Sequence, residues 1–277
     1  TTLASNINAS ALTWNWAINN TTTTSVQGLI NITDTILPAI VFDSSNSTFE
    51  VRGSLNVTQP NSPGVVLTYD GGVSSSNITW DKVGAISKVN LSYATDGANY
   101  TNTIITNLSA TATPYGWTVP DAIGTNLKVK IRDYDNPAVN DTSDNPFAIK
   151  GSVLVVSPNG NESWLKGTTQ AIQWKPAGTY PYNVKIAYSN NSGANWTDIG
   201  EATAGSHNVT QSWNWTVPDD IGSSTLVRVA TNATDSINVS DTSNGTFKLK
   251  GNVLISEPNG GEAWYYNDTN RQIKWTA

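Results

Sequence analysis

One pattern of about 100 residues runs through this chain two and a half times, and the chain opens and closes within a copy. Its clearest marker is Asp, then Ser or Thr, then Ser, followed by Phe and Gly. It recurs at Asp43/Phe49/Gly53, Asp141/Phe147/Gly151 and Asp241/Phe247/Gly251, with six residues from Asp to Phe and ten from Asp to Gly each time. A fixed period means one structural unit repeated. Repetition also bears on function, because catalysis needs one site while spacing or adhesion gains from many. The phase divides the chain into 1–52, the C-terminal half of a repeat; 53–150 and 151–250, two full repeats; and 251–277, the N-terminal part of a further one.

Composition removes several classes. Only 13% of residues are charged, with 15 Lys and Arg against 21 Asp and Glu. That balance predicts no basic face and no nucleic-acid partner. No apolar run is long enough to span a bilayer in this segment. Cys and Met are both absent. The fold therefore uses neither disulfides nor thiolate metal sites, and the missing Met fits a processed or excerpted segment.

Within 151–250, short β-branched or alternating runs are separated by turn signals every 8 to 12 residues. They are Val153–Ser157, Ala171–Lys175, Val184–Tyr188, Trp196–Ile199, Gln211–Thr216, Leu226–Thr231 and Thr246–Lys250. No stretch carries a capped helical period. Seven short strands in about 100 residues predict an all-β chain of tandem immunoglobulin-like β-sandwiches. In 53–150, Trp80, Tyr100, Tyr115 and Trp117 take the places of Trp174, Trp196, Trp213 and Trp215. All are expected in the core, since each buried aromatic removes about 150–250 Å² from water.

Further strings carry a resemblance. Val253-Leu-Ile-Ser-Glu-Pro-Asn-Gly-Gly-Glu-Ala-Trp264 is followed by Gln272-Ile-Lys-Trp275. The preceding copy has Gly193-Ala-Asn-Trp196 and Trp215-Thr-Val-Pro-Asp219. Together they resemble the immunoglobulin-like repeat of fungal Ser/Thr-rich GPI-anchored cell-wall proteins, and similar modules recur in bacterial and archaeal surface proteins. The first full copy departs from the pattern, because Pro60-Asn-Ser-Pro63 lacks the Glu and the first Trp, which implies a different turn there. The resemblance implies a matrix, wall or surface location and no catalytic residue.

The triplet Asn-x-Ser/Thr, with x not Pro, is dense. It begins at Asn8, Asn19, Asn20, Asn31, Asn46, Asn56, Asn77, Asn90, Asn99, Asn107, Asn140, Asn161, Asn190, Asn195, Asn208, Asn214, Asn232, Asn238, Asn244 and Asn267. Chance placement would give only about eight. Asn, Ser and Thr also suit turns, which is the plainer explanation. Parity favours glycan acceptors: Trp213 and Trp215 facing a core turn Asn214 to water, and the alternation that buries Val227 and Val229 sends Asn232 outward.

Other chemistry is sparse. His207 is read as a solvated loop residue. No phosphate loop, serine-nucleophile motif or His-based metal spacing occurs, so no enzyme and no cofactor are expected. Asp133, Asp135, Asp141 and Asp144 could offer oxygen ligands to Ca²⁺. Against that, Asp141 recurs with the repeat, as a local turn residue would.

The expected function is structural: a heavily N-glycosylated array at the cell surface or outside the cell, forming a filament, stalk or layer. Its partners are adjacent repeats of the same polypeptide or copies of itself, with the short junctions Lys150-Gly151 and Lys250-Gly251 limiting hinging. Residues 1–52 and 251–277 of two copies could complete one sandwich, but together they omit about 22 positions containing the central hairpin. A longer polypeptide is the preferred reading. The alternative is an array of carbohydrate-binding or adhesion modules for cell-surface glycans, with Tyr265 and Tyr266 as exposed aromatics.

Overall fold

The computed structural model describes every residue except Asn20, Thr21, Thr23 and Thr24. The acceptor expected at Asn20 therefore lies outside the described residues. Two compact units form, one of Thr1–Val65, Ser75–Trp117 and Asn126–Phe147, the other of Val66–Ser74, Thr118–Thr125 and Ala148–Ala277.

In the N-terminal segment the strands are β1 (Ser25–Gly28), β2 (Asn31–Thr33), β3 (Phe42–Ser44) and β4 (Phe49–Val51). The first full copy has β5 (Ser54–Gln59), β6 (Val66–Thr68), β7 (Ser75–Val83), β8 (Lys88–Ala94) and β9 (Asn102–Ser109). It continues with β10 (Tyr115–Thr118), β11 (Gly124–Asp133), β12 (Asn140–Thr142) and β13 (Phe147–Lys150). The second copy has β14 (Ser152–Ser157), β15 (Ser163–Leu165), β16 (Thr169–Ala177), β17 (Asn183–Ser189) and β18 (Thr197–Thr203). Its last strands are β19 (Gln211–Thr216), β20 (Gly222–Thr231), β21 (Ser240–Thr242) and β22 (Phe247–Lys250). β23 (Leu254–Glu257) and β24 (Lys274–Thr276) close the chain.

In the second unit, β14-β16-β19 make one sheet and β15-β22-β20-β17-β18 the other, with β21 paired to β20. The chain starts in the first sheet, bulges after Val155, and crosses so that β15 runs parallel to β22. Side chains from both sheets meet in one core, with Val155, Ile172 and Trp174 from one layer and Val184, Ile186, Val227, Val229 and Phe247 from the other. This is an immunoglobulin-like sandwich, and the chain is all-β. In the first unit β5 pairs β7 with a bulge after Val57, the counterpart of the Val155 bulge. β8 lies between β9 and β11. Val57, Ile78, Trp80, Val89, Leu91, Val129, Ile131 and Phe147 are buried there.

The repeated aromatics do repeated work. Trp174 donates its indole N–H to the Ala204 carbonyl at 3.0 Å, and Trp80 does the same to Ala110 at 3.1 Å. Each indole is thereby satisfied inside a dry core. Trp215 and Trp117 are also buried. Tyr100 and Trp196 correct the expectation of core aromatics: they are half-buried on the outward face, under Lys130 at 5.4 Å and Arg228 at 4.4 Å respectively. Parity explains it, because Lys130 and Arg228 alternate with the buried Val129, Ile131, Val227 and Val229 and so stand on the solvent side.

The Asp-x-Ser marker is a tie between distant strands. The Asp241 carboxylate accepts the Val155 N–H at 2.8 Å, and Asp141 accepts that of Val57 at 2.7 Å. β14 and β5 are edge strands of their three-stranded sheets, so those N–H groups have no ladder partner. Buried Ser243 makes three bonds with Val227, its hydroxyl accepting that residue's N–H at 3.0 Å while its hydroxyl and its N–H both donate to the Val227 carbonyl, and Ser143 treats Val129 alike. A local Asp turn was expected; the carboxylate instead bridges more than 80 residues of chain. The glycine that ends the marker is required by space. A Cβ at Gly151 would lie 1.8 Å from the Ala177 carbonyl oxygen, and one at Gly53 would lie 2.5 Å from that of Val83.

Two strands in the second copy were not foreseen, β15 and β21. Three residues are too few to display a period, and each is held by its neighbour in space rather than by its own alternation. The flanking segments keep the hairpins of the repeat. Ile32 pairs with Asp43 as Val229 pairs with Asp241. Their inner faces are nevertheless open, with Ile32 72% and Trp275 60% exposed where Val229 and Trp174 are shut away at 0% and 1%.

Replacing Asp241 by Ala removes the carboxylate and leaves the Val155 N–H without its acceptor. A loss of about 1.5–3 kcal/mol is expected, the range for a hydrogen bond to a charged group. Urea unfolding followed by Trp fluorescence measures it, and an unchanged midpoint would reject the tie as a source of stability.

Candidate glycan-acceptor surface

The Asn-x-Ser/Thr triplets mark candidate acceptor asparagines, and the structure shows where they stand. Every described acceptor is exposed except Asn90, which is half-buried. Asn56, Asn77 and Asn214 occupy outward positions on β5, β7 and β19, next to the buried Val57, Ile78 and Trp215. Asn31 begins β2 and Asn140 begins β12. Asn161, Asn190, Asn195, Asn208, Asn232, Asn238 and Asn244 stand outside the strands of the second copy. Asn8, Asn19, Asn46 and Asn267 stand likewise in the flanks.

Backbone conformation accounts for some of these residues without any sugar. Asn107, Asn161, Asn208 and Asn267 have φ of 58°, 71°, 62° and 75°, in the left-handed region that Asn tolerates better than most side chains. Others are held through the side chain. The Asn190 amide donates to both Asp220 oxygens, at 2.9 and 3.0 Å. That of Asn140 donates to the Pro137 carbonyl, and that of Asn31 to the Ser44 hydroxyl. A glycan on Nδ2 leaves one N–H, so one such bond survives attachment. The side-chain amides of Asn56, Asn77, Asn195, Asn214 and Asn232 have no hydrogen bond among the described residues.

Asn99 sits in a turn held by Asp96, which accepts the N–H groups of Asn99 at 2.7 Å and Ala98 at 3.0 Å. The Asn99 N–H and then the Ala98 N–H stabilise the carboxylate, with help from the Asn99 side chain, and lower its pKa to about 2. In the second copy Tyr180 is buried and its hydroxyl accepts the Gly151 N–H at 2.9 Å. Burial pushes this phenol up to about 12.

Asp133, Asp135, Asp141 and Asp144 are not brought together as a metal-ligating group among the described residues. Asp133 is buried and accepts the Asp135 N–H, Asp141 holds Val57, and Asp144 accepts the Asn61 amide. The departure at Pro60-Asn-Ser-Pro63 also has a structural meaning. Glu162 and Glu262 each accept two N–H groups of their own Pro-Asn-Gly turn. The first copy lacks that Glu, and Asn61 bonds the Val57 carbonyl and Asp144 instead. His207 corrects the solvated reading: its Nδ1 accepts the Gly178 N–H at 3.1 Å and its ring meets Tyr69 edge-on at 5.1 Å. Nothing in one lone His in a polar loop signals such a bond.

No family model matches the chain, and no curated protein matches it. Solved structures do. Fibronectin(III)-like modules of Clostridium thermocellum CbhA are 15% identical, over 71% of this chain and 94% of theirs, with a TM-score of 0.26. A three-immunoglobulin-domain fragment of titin is 14% identical, over 76% and 70%, with a TM-score of 0.33. The N-terminal four Ig domains of Dscam1 isoform 8.4 are 9% identical, over 76% and 52%, with a TM-score of 0.35. These likenesses concern fold only. Among the described residues no helix is long and apolar enough to cross a membrane.

Because the folded-state pKa of Asp96 lies below the ordinary value of 3.8, its bonds to the turn are complete above pH 4 and are lost as pH falls through about 2. The amide resonances of Ala98 and Asn99 are expected to titrate with a midpoint near 2. A midpoint near 4 would mean that Asp96 does not hold the turn.

Proposed function

We propose that this chain is a section of a tandem array of immunoglobulin-like repeats, N-glycosylated and extracellular, that builds a filament, stalk or layer at the cell surface. The repeating units are 53–150 and 151–250, with 1–52 the C-terminal half of such a unit and 251–277 the N-terminal part of a further one. The observation that carries the reading is the separation of acceptors from core: every described acceptor but Asn90 is exposed, while the inward positions of the same strands are filled by Trp, Val and Ile. A surface so dense in acceptors suits a protein whose outer face is meant to carry sugar. The open inner faces of the flanking segments fit an array in which neighbouring repeats, or a second copy, supply the covering layer. The resemblance to fungal, bacterial and archaeal surface repeats agrees with this location.

Catalysis plays no part in this reading, since the acids that recur with the period tie strands together. Carbohydrate binding is the second reading, favoured by Tyr265 and Tyr266, which are 73% and 95% exposed. Acrylamide quenching and glycan-array binding of the whole chain separate the two.

Expressed in a glycosylating secretory host, the chain is expected to gain mass at many sites and to return to about 30 kDa after enzymatic deglycosylation, close to its 29.6 kDa protein mass. Electron microscopy is expected to show rods or fibres. Unmodified peptides covering Asn56, Asn77, Asn195, Asn214 and Asn232 would overturn the glycoprotein reading.

A further inference from the structure

The acidic chain hides a basic face. In β11, Lys128, Lys130 and Arg132 alternate with the buried Leu127, Val129, Ile131 and Asp133, so all three stand on the outer side of the sheet. Two-residue steps space them by about 7 Å. Lys88 opens the neighbouring β8, where Arg132 pairs with Asn90 and Lys130 with Ser92. Neither β8 nor β9 contains an acid. None of the four cations has an ion-pair partner among the described residues. Lys128 reaches the Asp144 backbone carbonyl at 3.0 Å, Lys88 lies over the Tyr134 ring at 5.9 Å, and Lys130 lies over Tyr100 at 5.4 Å. The Arg132 guanidinium has no hydrogen bond, ion pair or ring contact among the described residues. The expectation that no basic face exists came from the overall balance of charge, and it fails because composition does not see clustering.

Between these cations lies a shallow groove of about 210 Å³. Ser92, Thr103 and Thr106 give it hydroxyls, Tyr100 an aromatic ring, and Lys130 and Arg132 its charge. We propose that this groove binds an acidic polysaccharide, a chain of uronate or sulfated sugars. The cations meet the acid groups, the hydroxyls exchange hydrogen bonds with sugar hydroxyls, and the ring offers a face to stack on. A nucleic acid would meet the same cations, but the groove offers one ring and three hydroxyls rather than the row of aromatic faces on which successive bases stack. The corresponding face of the second copy has Arg228 stacked on Trp196 and Ala230 where the first has Arg132. The site therefore belongs to the first copy alone. Asn90 is the one described acceptor that is not exposed, and its Oδ1 is bonded to the Asn107 N–H at 2.9 Å. Exposed candidate acceptors also flank the groove, Asn140 opposite Arg132 on β12 and Asn107 beside Thr106, so the titration uses the chain without glycans, and the proposal stands apart from the array reading.

Calorimetric titration of the whole chain with polygalacturonate and with heparin oligosaccharides tests this, with dextran as the neutral control. Binding of the polyanions and not of dextran is expected. Lys130→Gln with Arg132→Gln should weaken it at least tenfold and flatten its salt dependence, whereas Lys175→Gln with Lys248→Gln in the second copy should leave it unchanged. Tyr100→Ala should weaken binding without altering the salt slope. Circular dichroism and the urea midpoint confirm that each variant is folded. Absence of binding by the parent chain, or equal binding by the Lys130/Arg132 variant, overturns the site. Tighter binding of a DNA oligonucleotide than of polygalacturonate overturns the ligand class.

Discussion

A carboxylate on the last hairpin of each copy holds an N–H on the free edge of the first strand, and the rest of the sandwich is organised around that bond. An edge strand is the weak point of an open sheet, because its unpaired groups can recruit another chain. Here Asp141 and Asp241 occupy the N–H at the bulge, where the chain leaves one sheet for the other. The next-but-one Ser secures the neighbouring strand through Val129 or Val227. One three-residue motif thus fixes both layers, and a Phe six residues after the Asp enters the core beneath it. The period of the marker is the period of a tie that each sandwich needs once.

With the layers fixed, strand parity does the remaining division of labour. Inward positions take Trp, Val and Ile; outward positions are free of packing demands and take Asn, Ser and Thr. That freedom is why dense acceptor triplets coexist with a stable core. Asn214 between Trp213 and Trp215 shows the principle in three residues, one exposed amide between two rings turned inward. Adding mass to such a position leaves the core contacts untouched.

Much of this was legible in the sequence. The all-β class, the inward Trp80 and Trp174, and the exposure of Asn214 and Asn232 all follow from alternation and period. What was not legible shares one property, dependence on neighbours distant in the chain. Three-residue strands such as β15 and β21 have no internal period and exist only because β22 and β20 lie beside them. Asp241 reads as a turn residue because the bond it makes is to Val155. His207 finds its donor, and Tyr100 its cation, only once the chain has folded. The basic face is legible in part: Lys128-Val-Lys-Ile-Arg132 alternates visibly, but its neutral surroundings on β8 and β9 depend on sheet order.

The two copies diverge where divergence costs least. Replacing Trp174 or Asp241 would disturb the core or the tie, and both have equivalents in the first copy, Trp80 and Asp141. On the outer face the copies differ freely: Arg132 stands opposite Asn90 in one, while Ala230 stands opposite Lys185 in the other. A repeat can therefore keep its fold and change its partner by substituting a few outward residues on a single strand. In an array this separates two properties that a single-domain protein must reconcile. In the array proposed for this chain, mechanical continuity would rest on what the copies share, and the proposed recognition on what they do not.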